Sequence, residues 1–156
     1  MADERPEFLF HYTHPLHLSS IVVERALWTT ESNIRLDVEH FGPDVVWALD
    51  TDWMPEGAEL PHGLLADKML ARVVFQTPKR AVRWLDWEWT QKMPDWWREA
   101  LLGSAGGEEA AEHWWVIDHP VLARHWAAVE YRDADGGWIG LTPDTQIIYD
   151  VAGKGR

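Results

Sequence analysis

The sequence contains no cysteine, which excludes a disulfide framework, a thiolate metal site, an iron–sulfur cluster and a cysteine nucleophile. It also has no apolar run near the roughly 18 residues that span a bilayer. The first residues, MADERPEF, are charged and lack the apolar segment of a secretory signal. Glycine-rich phosphate loops, the G-x-S-x-G elbow and kinase signatures are absent as well. We therefore expect a soluble, cytoplasmic protein that belongs to none of these enzyme classes.

Basic residues are scarce: 14 lysines and arginines face 26 acidic residues, which gives a formal net charge of −12. A field of this sign repels phosphate backbones and anionic membranes. We therefore expect neither non-specific DNA binding nor a membrane partner. The one basic cluster, residues 79–83, is followed by Trp84, Trp87 and Trp89. This pattern is typical of a solvated rim over an aromatic core. The alternative is that these cationic and aromatic side chains stack on unpaired bases.

Tryptophan is abundant, with 12 residues against three tyrosines and four phenylalanines. Most of the tryptophans follow residue 80, so they are expected to form the core and rim of the second half. The chain has 156 residues, which is about the length of one domain. No repeat or Pro/Ser-rich linker divides it, and residues 1–156 are predicted to form a single domain.

Short strands alternate irregularly with a few helices in the predicted fold. Helices are expected from residue 15 to about 27 and at 94–102, with a single helical turn at 120–125. Residues 51–63 read as a loop, either a binding loop or an insertion. Strands are predicted at 7–13, 45–50, 70–77, 114–118, 129–132, 138–141 and 146–149. Five to seven strands with two or three helices and no regular βαβ order indicate an α+β fold.

The first candidate site is the run His11, Tyr12 and Thr13, at the end of the first strand and directly before a helix. A histidine in this place can bind ribose hydroxyls through one ring nitrogen while the backbone fixes the other. The alternative is a half-buried histidine that holds the corner between strand and helix.

Two stretches carry a resemblance to a known family: FLFHYTHPLHLSSIVVERALWTTESN and the later strand VVWALD. Over roughly residues 8–50 they resemble the start of small ADP-ribosyltransferase-fold proteins. The chain also resembles uncharacterised actinobacterial and phage proteins that share HYT, TTESN, GPDVVW, a WW-V strand and a V-E-Y strand. That second likeness covers most of the chain and brings no established activity.

The ADP-ribosyltransferase resemblance implies a split, strongly bent, antiparallel or mixed β-sheet around a cleft for NAD. His11 occupies the place of the histidine that binds the nicotinamide-side ribose. No tyrosine stands at the family's stacking position, so Trp47 or Tyr12 would stack on the nicotinamide. Glu130 would polarise the ribose and stabilise the oxocarbenium-like transition state, a role that suits a carboxylate. The alternative for Glu130 is a surface glutamate paired with Arg132 or another neighbour.

Residues 29–35 form a second candidate region. Ser32 and Asn33 could contact the dinucleotide, and Arg35 could bind its phosphates in bidentate fashion. The alternative is a surface turn in which Ser32 or Asn33 caps a short helix. The spacing of His11, His14 and His17 resembles a metal motif, but a strand and a helix do not present these residues on one face. No metal site is expected.

Two hypotheses follow from the sequence. The first is an NAD-binding ADP-ribosyltransferase-like protein that transfers ADP-ribose to a protein or nucleic-acid acceptor. The second is a non-catalytic acidic interaction protein, of the phage inhibitor or immunity type, that binds a basic protein partner. The enzyme hypothesis requires His11, Trp47 and Glu130 to line one cleft within about 10 Å, because catalytic groups act within hydrogen-bond reach.

Overall fold

The computed structural model describes residues 5–13, 15–29, 43–53, 71–132 and 137–141. Within these residues, no helix is long and apolar enough to cross a membrane. The strands are β1 (Phe8–Thr13), β2 (Ala26–Leu27), β3 (Val46–Leu49), β4 (Ala71–Gln76), β5 (Val82–Arg83), β6 (Trp114–Ile117), β7 (Val121–Leu122), β8 (Trp126–Arg132) and β9 (Trp138–Gly140). The helices are α1 (Pro15–Glu24), α2 (Glu88–Lys92), α3 (Asp95–Ala105) and α4 (Glu108–Ala111), with short 3-10 helices at Trp84–Asp86 and Ala123–His125.

Seven of the strands form one sheet in the order β5-β6-β3-β1-β4-β8-β9, and β2 pairs with β7 in a separate ribbon. Every pairing between described strands is antiparallel. The predicted α+β class, with a mostly antiparallel sheet and a few short helices, is therefore confirmed. The mixed sheet that the resemblance allowed does not occur among these strands.

Each face of the large sheet carries its own apolar core, because successive side chains of a strand point to opposite faces. We call the side that faces α1 and the β2–β7 ribbon the ribbon face. Its core contains Leu9, Val73 and Phe75 from the sheet, together with Leu18 from α1. The other side is the helix face, where Leu49, Trp114 and Val116 pack against residues of the segment that forms α2 to α4, including Met93 and Trp97. The sheet is thus the middle of three layers.

The junction between β1 and β3 has the fewest described backbone pairs in the sheet. These strands share one backbone pair, Phe10 with Leu49, whereas β1 and β4 pair along six residues. Within the part of the chain that the structure describes, β1 and β3 share no other backbone pair. The groups β5-β6-β3 and β1-β4-β8-β9 are thus joined by one described backbone pair and by side-chain contacts such as that of His11 with Trp47.

The tryptophans after residue 80 occupy the core and rim, as expected. Trp84, Trp87, Trp97, Trp114 and Trp115 are buried, while Trp96 is 55% exposed. The Nε1 atom of Trp114 donates a hydrogen bond to the carbonyl of Ala105 and so ties β6 to the end of α3.

Several element boundaries differ from the sequence prediction. The first helix ends at Glu24 rather than near 27, because Arg25 adopts a positive φ of 57° and the chain enters β2. The predicted helical turn at 120–125 is strand β7 followed by a 3-10 helix, since residues 121 and 122 pair with β2. Helix α3 extends to Ala105 and ends at Gly106, whose left-handed φ of 104° closes the helix. The predicted strand at 146–149 lies outside the described residues.

Candidate functional site

His11 bridges the junction between β1 and β3. Its Nδ1 lies 2.7 Å from the carbonyl oxygen of Trp47, on the neighbouring strand β3. Because a carbonyl only accepts hydrogen bonds, Nδ1 carries the proton, and in the neutral ring Nε2 is the acceptor atom. The side chain therefore adds a bond between β1 and β3 beside their described backbone pair, Phe10 with Leu49.

On the helix face, Tyr12, Arg72 and Glu130 form a row across three strands. The register places Tyr12 opposite Arg72, and Arg72 opposite Glu130. The Nε of Arg72 donates to Oε1 of Glu130 at 2.7 Å, and its Nη1 donates to the Tyr12 hydroxyl at 3.4 Å. The side chains of Arg72 and Glu130 are 9% and 20% exposed. Charges this deeply placed need a partner, and these two supply it to each other.

Aromatic rings enclose the Arg72 guanidinium. Its Cζ lies 4.0 Å from the centre of the Trp138 ring and 5.1 Å from that of Phe10. A planar cation stacks favourably on the electron-rich face of such rings. Nη1 also donates to the carbonyl of Asp52 at 2.9 Å, and the Tyr12 hydroxyl donates to the carbonyl of Thr51. The segment after β3 is thereby tied to this cluster.

The pKa of Tyr12 reflects the burial of its side chain in this cluster. Burial raises the pKa of the phenol above its ordinary value of 10.0, and the charge of Asp52 acts in the same direction. The hydrogen bond and the positive charge of Arg72 oppose this increase. Tyr12 therefore stays protonated at neutral pH and serves as a neutral donor.

Trp47 belongs to the aromatic core of the helix face. Its ring centre lies 6.2 Å from those of both Trp84 and Trp114, at tilted and edge-on angles. Alternation along β3 places it on the same side as Leu49, and hence on the side of Tyr12. The indole is half-buried among other indoles, so its packing accounts for its position.

The structure does not bring all the predicted site residues together. His11 is opposite Val73, whose other partner is Val129, whereas Glu130 is opposite Arg72. A shift of one residue along a strand moves a side chain to the other face. His11 and Thr13 therefore point to the ribbon face, while the predicted residues on the helix face are Tyr12, Trp47 and Glu130.

The salt bridge of Glu130 is with a cross-strand neighbour. The alternative interpretation paired Glu130 with Arg132 or another neighbour, and the partner is Arg72 on the adjacent strand. Arg132 instead lies with its Cζ 5.6 Å from the Trp138 ring centre. The other predicted contacts, Ser32, Asn33 and Arg35, lie outside the described residues, as does His14.

A second polar cluster, absent from the sequence prediction, lies at the end of β3. Asp50 accepts hydrogen bonds from Nδ1 of His113 at 2.8 Å and from Nε1 of Trp115 at 3.1 Å. Arg83 Nη1 is 3.5 Å from the same carboxylate. The only sequence signal was a carboxylate directly after one strand and a histidine directly before another. Their meeting depends on the pairing of β3 with β6, which spacing along the chain does not reveal.

The other polar groups of the described residues are weaker candidates for a functional site. A groove of about 410 Å³ lies beside β5 and β6, lined in part by Arg80, Trp87 and Asp118, but Arg80 and Asp118 pair with each other. No group of three or more histidines and carboxylates that could hold a metal occurs in the described part of the chain. The basic cluster of residues 79–83 is engaged: Arg83 binds the Asp50 carboxylate and lies over the Trp115 ring.

Comparison of the chain with protein-family models, curated proteins and solved structures finds no match.

Proposed function

We propose that the chain is an ADP-ribosyltransferase-like protein that binds NAD on the helix face, beside Tyr12, Arg72 and Glu130. The observation that carries this proposal is the Arg72–Glu130 pair, a carboxylate held at 2.7 Å by a buried guanidinium and still 20% exposed. Such a carboxylate is fixed in direction and remains within reach of a ligand. The single pair that joins β1 to β3 supports the split sheet that the resemblance implies.

The residues present fit the chemistry of NAD. When bound, NAD would supply the ADP-ribosyl group: nicotinamide would leave with the electron pair of its bond to the ribose, and a nucleophile of the protein or nucleic-acid acceptor would form the new bond at the anomeric carbon. The Glu130 carboxylate would accept a hydrogen bond from a ribose hydroxyl and would oppose the positive charge that develops at the anomeric carbon. Tyr12 and Trp138 provide aromatic surface beside it.

The requirement that His11, Trp47 and Glu130 line one cleft is not met, so the proposal rests on the helix-face residues and leaves His11 out of the NAD site. Since its ring lies on the opposite face from Glu130, it acts as a positioning residue that joins β1 to β3. Arg72 is the positioning residue for Glu130. Its guanidinium donates to Oε1 of Glu130 and so fixes the direction of the carboxylate.

The decisive experiment is calorimetry with NAD, followed by an assay of nicotinamide release for the wild type and Glu130→Gln. The proposal expects saturable binding in both proteins and a loss of release of at least about 100-fold in the variant. Glu99→Gln is the matched control, because Glu99 is an exposed glutamate of α3, and it should leave both measurements unchanged. Absence of both NAD binding and nicotinamide release would refute the proposal.

The alternative, an acidic interaction protein that binds a basic partner, is favoured by a separate observation. Trp28, Trp53 and Trp96 are each more than half exposed, on a chain whose net charge is −12. Exposed tryptophans are frequent among the residues that dominate protein interfaces. Binding of a basic protein that weakens with salt and survives both His11→Ala and Glu130→Gln would favour this alternative.

A further inference from the structure

The Asp50–His113 pair has the arrangement of a histidine base and its orienting carboxylate. Asp50 follows β3 and is fixed by Trp115 Nε1 and by the nearby Arg83 guanidinium. Its side chain is 13% exposed, whereas that of His113 is 39% exposed. The carboxylate is therefore held inside the fold, and the imidazole extends from it toward solvent.

The hydrogen bond between them determines which nitrogen can act. Nδ1 of His113 faces Oδ1 of Asp50 at 2.8 Å, and an ionised carboxylate only accepts. Nδ1 therefore carries the proton in the neutral ring, and Nε2 holds the lone pair. The described part of the chain contains no hydrogen-bond partner for Nε2. Asp50 thus fixes the tautomer and the orientation of the imidazole, as the carboxylate of a catalytic triad does.

The backbone holds the pair in register. The amide of Asp50 donates to the carbonyl of His113 at 3.0 Å, one step beyond the last β3–β6 pair, Leu49 with Trp114. This bond involves main-chain atoms alone, so a substitution of the His113 side chain leaves it in place. Groups built on paired strands are held more precisely than groups on loops.

A flat apolar surface stands beside the imidazole. The Trp53 ring meets His113 edge-on, with centres 5.7 Å apart, and the residue is 52% exposed. A planar ring that packs on this indole would lie beside the His113 imidazole. Asp50 and Arg83 pair with each other, and the exposed carboxylates of Asp52 and Glu112, next to Trp53 and His113 in the sequence, disfavour an anionic ligand.

We propose that Asp50, His113 and Trp53 form a hydrolytic site for small, uncharged aryl esters. His113 Nε2 takes a proton from water while the water oxygen bonds to the ester carbonyl carbon. The bond from that carbon to the aryl oxygen then breaks, and the aryl oxygen leaves with the electron pair and receives the proton from His113. The products are a carboxylic acid and a phenol, and the imidazole returns to its neutral form. This proposal is independent of NAD.

The test uses the full chain and 4-nitrophenyl acetate, with no NAD present, and follows the release of 4-nitrophenolate. We expect the wild type to exceed an equal concentration of free imidazole by about 100-fold, the lower end of general-base catalysis. His113→Gln should lose at least about 10-fold in kcat. Trp53→Ala should raise KM by at least about 2-fold with kcat kept, because it removes stacking surface only.

His125→Gln is the matched control, since His125 is an exposed histidine in the 3-10 helix before β8. It should leave kcat and KM unchanged. The proposal is overturned if the wild type hydrolyses the ester no faster than free imidazole, or if His113→Gln and His125→Gln lose activity equally. Neither result would bear on NAD binding at Glu130, so failure of this proposal is distinguishable from failure of the other.

Discussion

At the scale of single residues, the Arg72–Glu130 salt bridge is the interaction of the helix face that matters most for stability. Replacing Arg72 with Met leaves Glu130 mostly buried beside aromatic rings without its cation. Breaking a fully buried pair costs about 3–5 kcal/mol. Because Glu130 is 20% exposed, we expect a smaller loss in the free energy of unfolding, about 2–3 kcal/mol. Urea unfolding of Arg72→Met measures it.

The double variant Arg72→Met with Glu130→Met separates pairing from packing. It should be more stable than the sum of the single losses predicts, because neither charge is left alone. The exposed pair of Lys92 and Glu88 on α2 is the comparison, and Glu88→Gln should cost less than about 1 kcal/mol. Additive losses at Arg72 and Glu130 would mean that the two charges do not depend on each other.

The raised pKa of Tyr12 predicts how the free energy of unfolding depends on pH. Its folded-state pKa is raised above 10.0, so above that pH the unfolded chain loses the phenolic proton while the folded chain keeps it. The unfolded state then binds fewer protons, and stability falls as pH rises from the unfolded to the folded pKa. Tyr12→Phe should show a shallower loss of unfolding free energy between about pH 9.5 and 11. An equal slope in the two proteins would contradict this assignment.

The sequence could identify these residues only in part. Tyr12 belongs to the candidate run at the end of the first strand, Glu130 is a candidate through the resemblance to ADP-ribosyltransferase-fold proteins, and both lie on the helix face. Arg72 was missed, although it is a lone cation within the apolar run LARVVFQT. Its importance depends on β4 lying between β1 and β8, a long-range pairing that local patterns do not specify. The same reason explains why His11 could not be placed on the other face.

At the scale of elements, the turn between α3 and α4 depends on backbone conformation. Gly107 has φ 103° and ψ 179°, a region open essentially to glycine alone. A Cβ there would meet nothing within 4 Å, so the cost of Gly107→Ala is backbone strain, about 1–3 kcal/mol. Gly103→Ala is the control, because that glycine lies within α3 with equally open space. It should stabilise the protein by about 0.5–1 kcal/mol.

The His11 bridge makes a prediction about the sheet. His11→Ala removes the bond to the Trp47 carbonyl, where β1 and β3 share one backbone pair. Amides of β3 should then exchange with solvent faster, since local opening becomes easier. Amides of β4 should keep their protection, because β4 pairs with β1 along six residues and with β8 on its other side. Hydrogen exchange followed by mass spectrometry distinguishes the two strands, and uniform acceleration would count against a local role.

Elements with strong periodic patterns were predictable, and short paired ones were not. Strands β1, β3, β4 and β6 were predicted within one or two residues, since each is an apolar run bounded by polar or turn residues. The two-residue strands β2, β5 and β7 were missed, because a pair of residues has no period of its own. Their conformation is set by tertiary partners, such as β2 by β7.

At the scale of the whole molecule, the abundant tryptophans and the excess of acidic residues occupy different parts of the fold. Several tryptophans fill the interior: Trp84 and Trp97 are 1% and 2% exposed. The acidic excess remains at the surface, where the described glutamates of α2 to α4 are exposed. Stability thus comes from aromatic burial, while the net charge opposes compaction by self-repulsion.

This opposition predicts the response to salt. Repulsion among exposed acids is screened as the Debye length shortens to about 10 Å at 0.1 M salt, whereas aromatic burial is unaffected. Raising sodium chloride from low concentration to about 0.5 M should increase the melting temperature by about 2–4 °C, equivalent to roughly 1 kcal/mol. Glu99→Lys reduces the net negative charge by two and should show a smaller rise, provided chloride is used rather than sulfate, which stabilises proteins by exclusion. A melting temperature that falls with salt would mean that the ion pairs, such as Arg72–Glu130, outweigh the excess of negative charge.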